Sequence, residues 1–111
     1  MAIVQLSIVP IGTGTSSISK YVARAFKLLE TQRDVAYQLT PMGTIIEGSL
    51  DKVISIVRQM HESAFDEEVQ RVLTTLIIDD RRDKTATMEG KVKSVQNKLR
   101  GYWSDSTMLA P

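Results

Sequence analysis

Residues 35–48 read VAYQLTPMGTIIEG, two short runs on either side of Pro41-Met42-Gly43. Val35, Tyr37 and Leu39 alternate with Ala36, Gln38 and Thr40, the period of two that belongs to a strand, and Thr44 to Gly48 continues in strand composition. The tight connection makes the pair a hairpin. Ser49 then precedes Leu50, Val53, Ile54, Val57, Met60 and Ala64, an apolar stripe at helical spacing, with Asp51 in the first turn to favour the helix dipole.

Outward from this hairpin and helix, each flank adds a strand. On the N-terminal side Val4, Leu6 and Ile8 alternate with Ile3, Gln5, Ser7 and Val9. Pro10 to Thr15 breaks that strand, and Ser16 or Ser17 is placed to cap a helix carried by Ile18, Val22, Ala25, Phe26 and Leu29 and ending near Gln32. On the C-terminal side Val72 to Asp79 returns to strand composition, and Asp80, Arg81, Arg82 and Asp83 end it with charge. Met88, Val92, Val95 and Leu99 give a narrower helical stripe from about Thr87 to Arg100, with Gly101 as its stop.

The order β-α-β-β-α-β plus a terminal helix is the pattern of two split βαβ units, an α+β ferredoxin-like sandwich with a four-stranded antiparallel sheet. Right-handed crossovers put both long helices on one sheet face. Residues 1–100 are expected to form one domain including the C-terminal helix, and residues 101–111 a flexible tail. Tyr102 and Trp103 either dock on a neighbouring subunit or share that flexibility.

Composition excludes several chemistries. At 111 residues, 42% hydrophobic and 24% charged, the chain has the balance of one globular domain. The net charge of +1 does not favour nucleic acid or anionic membrane as a partner. With no cysteine and one histidine, thiolate chemistry and a histidine-dominated metal centre are out of reach. No basic leader or apolar run of about 18 residues opens the chain. A soluble, cytoplasmic protein without metal or required cofactor is the expectation.

If Val4, Leu6, Ile8, Val35, Tyr37, Leu39, Leu76 and Ile78 face the helices, the opposite sheet surface carries Ile3, Val9, Ile45, Leu73 and Ile77, interleaved with Gln5, Ser7, Gln38, Thr40, Glu47 and Thr75. Such a face needs a cover. Two subunits can pack through it, or its polar members can line a pocket for a small polar ligand, and the two can coexist. Glu47 there requires an arginine such as Arg71, a capping backbone amide, or a cationic ligand.

Other features have plain readings. Gly12-Thr13-Gly14-Thr15 is a turn and cap, with anion binding at the helix N-terminus as its alternative. Asp79, Asp80 and Asp83 with Arg81 and Arg82 form a solvated strand end, since the arginines compete with any metal cation. His61 is a surface or helix-end residue. Arg24, Lys27, Lys91, Lys93, Lys98 and Arg100 belong to solvated helix faces without the interleaved aromatics of nucleic-acid binding.

Three blocks together resemble the small thiamine-binding protein family: residues 10–22 (PIGTGTSSISKYV), residues 41–48 (PMGTIIEG) and residues 71–81 (RVLTTLIIDDR). The resemblance covers about residues 2 to 100. It implies a ferredoxin-like subunit, dimers joined through their sheets and commonly assembled into tetramers, and non-catalytic binding of thiamine or its hydroxymethylpyrimidine moiety. Where relatives often carry a glycine between the first helix and second strand, this chain reads Thr31-Gln32-Arg33-Asp34, and Asp34 is expected in the left-handed conformation. For such a ligand, Gln5, Ser7, Thr40, Thr44 and Thr75 are the candidate hydrogen-bonding residues and Glu47 the partner of the thiazolium cation. Thr44 has the opposite parity and joins them only if a bulge re-aims it. A structural or regulatory oligomerisation module binding a protein partner through the open face is the alternative, and an enzyme using Glu47 as general base the third reading.

Overall fold

The structure, a computed structural model, describes residues 1–15, 17–83 and 87–105, the last four by backbone only. Its elements are β1 (Ala2–Ile11), α1 (Ser19–Lys27) with a 3-10 turn at Leu28–Thr31, β2 (Ala36–Thr40), β3 (Gly43–Gly48), α2 (Leu50–Ser63), β4 (Arg71–Asp80) and α3 (Met88–Asp105). The strands run β2-β3-β1-β4, all neighbours antiparallel, as expected for split βαβ units.

Alternation in the central strands decides the core. Val4, Leu6 and Ile46 project toward the helices and meet Ala25, Leu29, Val53, Ile56 and Met60. Removing these side chains from water is the main force holding the two layers together. On α2 the buried stripe runs through Ile56, while Ile54 is exposed, so the helix is rotated slightly from the phase expected. Leu39 and Ile78 share the helix-side parity but remain 54% and 44% exposed, because they lie on the two outer strands, at the margin of the helical layer. Val35 precedes β2 and still packs on the core.

The hairpin depends on one glycine. Gly43 has φ +155°, and a Cβ there would stand 2.6 Å from the Leu6 carbonyl oxygen. Only a residue without a side chain lets β3 begin this close to β1.

Three local expectations change. α1 starts at Ser19 with Ile18 as its cap residue and no side-chain cap; Ser17 stays outside, and Ser16 lies outside the described residues. Asp34 does not adopt positive φ; it pairs instead with Lys52 of α2. Gly101 does not end α3, which continues to Asp105, since one glycine costs a helix only about 1 kcal/mol. Of the expected tail, residues 106–111 lie outside the described residues.

Candidate functional site

The open sheet face follows from the register. Gln38, Ile45, Gln5 and Ile77 stand side by side across the four strands. One step along, Ser7 lies opposite Thr75, with side chains about 5 Å apart. Leu73 and Ile77 on β4 are each 59% exposed, and Gln5, Ser7, Gln38 and Thr75 make no side-chain hydrogen bond among the described residues. The face therefore offers unpartnered amides and hydroxyls between uncovered apolar side chains.

At the other end stands the row Ala36, Glu47, Ile3, Asp79. Glu47 is only 9% exposed, and its Oε2 accepts a hydrogen bond from the Met88 backbone N–H at 2.8 Å. Of the three partners foreseen for this carboxylate, the capping amide is the one present. Arg71 is not its partner: it pairs with Ile11, eight residues along β1 from Ile3 and so about 26 Å away. The negative charge meets the positive end of α3 and satisfies one of its free amides. Thr87 caps the same turn by accepting the Gly90 N–H at 2.8 Å, and Lys91 pairs with Asp79. The first turn of α3 is thus tied across the sheet above Ile3, while Val92, Val95 and Leu99 farther along stay exposed.

Thr44 and Thr40 do not join this face in the way proposed. The β1–β3 register runs without a bulge from Ala2↔Gly48 to Leu6↔Thr44, so Thr44 keeps the parity of Leu6 and is buried on the helix side. Thr40 lies at the hairpin end, where its hydroxyl donates to the Gly43 carbonyl at 2.8 Å and accepts the Met42 N–H at 3.3 Å. Its hydrogen-bonding capacity is largely spent on the turn.

On the helix side a cleft of about 170 Å³ opens between α1 and the β2–β3 hairpin. Leu6, Ile18, Val22 and Leu39 line it together with Ser7, Thr40 and Thr44, three of the residues expected at the site. Residues 10–22 and 41–48, two of the blocks that carry the family resemblance, supply Ile18, Val22 and Pro41 to Thr44 of its lining, although no periodicity announces a gap between α1 and the hairpin that follows it.

The remaining candidates take structural roles. His61 shares a 2.6 Å hydrogen bond between its Nδ1 and the Thr74 hydroxyl and stacks edgewise on Phe65, fastening α2 to β4. At the end of β4, Arg82 binds Asp80 and Arg81 binds Asp83. The Arg82 hydrogen bond holds the Asp80 carboxyl below its ordinary range. Desolvation pushes Asp66 up, but the amides of Glu68 and Val69 and the Arg24 guanidinium outweigh it and leave it lowered. Among the described residues no group of His, Cys, Asp and Glu could hold a metal ion. Gly12 and Gly14 take positive φ of 81° and 75° in a turn closed by hydrogen bonds of Thr13 and Thr15. No helix among the described residues is long and apolar enough to cross a membrane.

Fold and surfaces together define a small α+β protein of the split-βαβ class, with an uncovered, hydroxyl-bearing sheet face. The chain belongs to the thiamine-binding protein family, whose model matches residues 4–96. It is 46% identical over 103 residues to the UPF0045 protein YqgV of Bacillus subtilis, covering 90% of this chain and 99% of that one. It is 39% identical over 100 residues to a UPF0045 protein of Methanothermobacter thermautotrophicus, covering 89% and 100%. Among solved structures, hypothetical protein MJ1052 of Methanocaldococcus jannaschii matches with a TM-score of 0.78 and 34% identity over 86% of this chain and 95% of that one. A Thermotoga maritima protein, proposed to act in thiamine biosynthesis or salvage, shares the fold with a TM-score of 0.68 and 20% identity over 85% and 97%.

Proposed function

We propose that the protein is a non-catalytic, cytoplasmic binder of thiamine or its hydroxymethylpyrimidine moiety, with the site at or near a sheet-to-sheet interface between subunits of a dimer or tetramer. The observation that carries the proposal is the open face of a thiamine-binding family member, where Gln5, Ser7 and Thr75 present unpartnered polar groups beside Ile45, Leu73 and Ile77. An aminopyrimidine needs such donors and acceptors at its rim and apolar side chains above and below its ring. A second subunit would supply the other apolar wall and exclude water.

Glu47 enters this reading with one oxygen bound to the Met88 amide and the other proposed as the charge partner of the thiazolium. A Glu47→Gln protein keeps an acceptor for the Met88 amide but loses the charge. Its thiamine Kd is expected to rise about tenfold, as for a lost charge-assisted contact, with hydroxymethylpyrimidine changed less than about twofold. Equal losses for the two ligands remove Glu47 from the cation's surroundings.

The decisive experiment is isothermal titration of ligand-stripped protein with thiamine and with hydroxymethylpyrimidine, the oligomer mass being measured in the same buffer. Saturable binding at a fixed ratio per subunit is expected. A folded oligomer that binds neither compound points instead to the oligomerisation module, for which the apolar exposure of Leu73 and Ile77 is equally suited.

A further inference from the structure

β2 and β4 are the outer strands of the sheet, and they end it differently. β2 is five residues long, whereas β4 runs for ten, all of them paired with β1 on its inner side. Along the outer side no β4 backbone group has a partner among the described residues. A long open edge is a template for a further strand, and proteins blunt such edges with proline, lysine or a bulge. The stretch from Leu73 to Ile78 has none of these.

The residues of the strand select what fits this edge. A second copy of the same edge pairs antiparallel about a two-fold axis normal to the sheet, so residues that face each other lie on the same side. With the axis at Thr75, Arg71 faces Asp79 of the second copy, Leu73 faces Ile77 and Thr75 faces itself, all on the open face. On the helix side Val72 faces Ile78 and Thr74 faces Leu76. Opposite charges meet, apolar side chains meet, and symmetry makes each pair twice. An axis at Leu76 would instead set Asp79 against Leu73 and Asp80 against Val72, and an axis at Thr74 would carry Asp79 beyond the end of the other strand. Arg71 is exposed and has no ion-pair partner among the described residues, while Asp79 is half exposed beside Lys91 and has room for a second cation. The apolar side chains left open on β4, Leu73, Ile77 and Ile78, are the ones this register sets against apolar neighbours.

We propose that β4 pairs edge to edge with β4 of a second copy, antiparallel about Thr75, joining two four-stranded sheets into one of eight strands. About eight to ten backbone hydrogen bonds close the junction. The pairing uses the edge of the sheet, so the open face stays free to stack. On that face the two Thr75 side chains stand together, each flanked by its own Ser7; where the ligand reading above holds, the second copy contributes a hydroxyl to the site.

The chain has no cysteine, so an engineered cross-link is read without background. Val72→Cys combined with Ile78→Cys places two thiols on the helix side, about 20 Å apart within one strand but within disulfide reach across the junction. Mild oxidation of the full chain is expected to give a covalent dimer on a non-reducing gel, with a peptide joining positions 72 and 78 found by mass spectrometry. Either substitution alone gives no link. Sheets that only stack face to face carry these positions on their outer sides and cannot form it. Without added cysteines, Arg71→Asp is expected to raise the dimer dissociation constant about tenfold, Asp79→Arg likewise, and the two together restore it, because the reversed charges again face each other. An oligomer that yields no link and ignores both charge changes is held by the face alone and overturns the edge pairing, while thiamine titration tests the ligand reading separately. A wild type that remains a protomer in light scattering also overturns it and leaves the edge to an extended segment of another protein.

Discussion

Ile46→Ala is expected to lower the free energy of unfolding by about 2–5 kcal/mol, whereas Ile45→Ala, one residue away, costs less than about 1 kcal/mol in the isolated protomer. Ile46 is fully buried, at the centre of the core with Val4, Leu6 and Met60 around it, so truncation leaves a cavity that rigid neighbours on both layers cannot fill. Ile45 points to the other side of the sheet, between Gln5 and Gln38. A domain of this size has a total stability of about 5–15 kcal/mol, so the first change removes a large part of it. Urea denaturation at low protein concentration reads the difference as a shift in midpoint at constant slope. Similar losses at both positions contradict the assignment of the two faces. If Ile45→Ala becomes costly only as protein concentration rises, the open face is covered by another copy, since association stabilises the folded state by mass action.

That contrast rests on the part of the fold that periodicity makes legible. In β1 and β4 each alternate residue has the same neighbours along the strand, so the pattern of Val4 and Leu6 against Ile3 and Gln5 names the faces without coordinates. The hairpin was equally readable, because Pro41-Met42-Gly43 leaves little choice of connection and Gly43 satisfies the close approach to Leu6. What periodicity misses is lateral extent. Leu39 and Ile78 have core parity, but parity does not reveal that an outer strand lies at the edge of the helical layer.

The candidate site was legible to the same degree and for the same reason. Gln5, Ser7 and Thr75 come together as strand alternation requires, and Thr44 stays on the far side because no bulge interrupts its strand. The partner of Glu47 was foreseen only as one of three kinds. Its identity as the Met88 amide depends on the start of α3 being brought beside Glu47, a tertiary event forty-one residues later in the chain. A signal for that helix start was present in Thr87, followed three residues later by Gly90, whose amide it accepts. The lysine that ties the same turn to Asp79 carried no signal, since Lys91 alone looks like any solvated helix residue.

Replacing both Leu73 and Ile77 by glutamate is expected to leave the protomer folded and to abolish the proposed sheet-to-sheet assembly. Both side chains are 59% exposed on β4 and point away from the helices, so the protomer loses no core contact. In a face-to-face pair the same positions would be desolvated, bringing four carboxylates per dimer into a setting without matching cations. At several kcal/mol for each buried charge, even a standard interface of about 1,600 Å² does not survive. Light scattering is expected to show a dimer or tetramer for wild type and a protomer for the variant, with unchanged far-ultraviolet dichroism. An unaltered oligomer rules this face out as the interface. Titrating the dissociated variant with thiamine then tests the proposed site itself, because a site built by two sheets disappears with the assembly, whereas one formed within a single chain survives it.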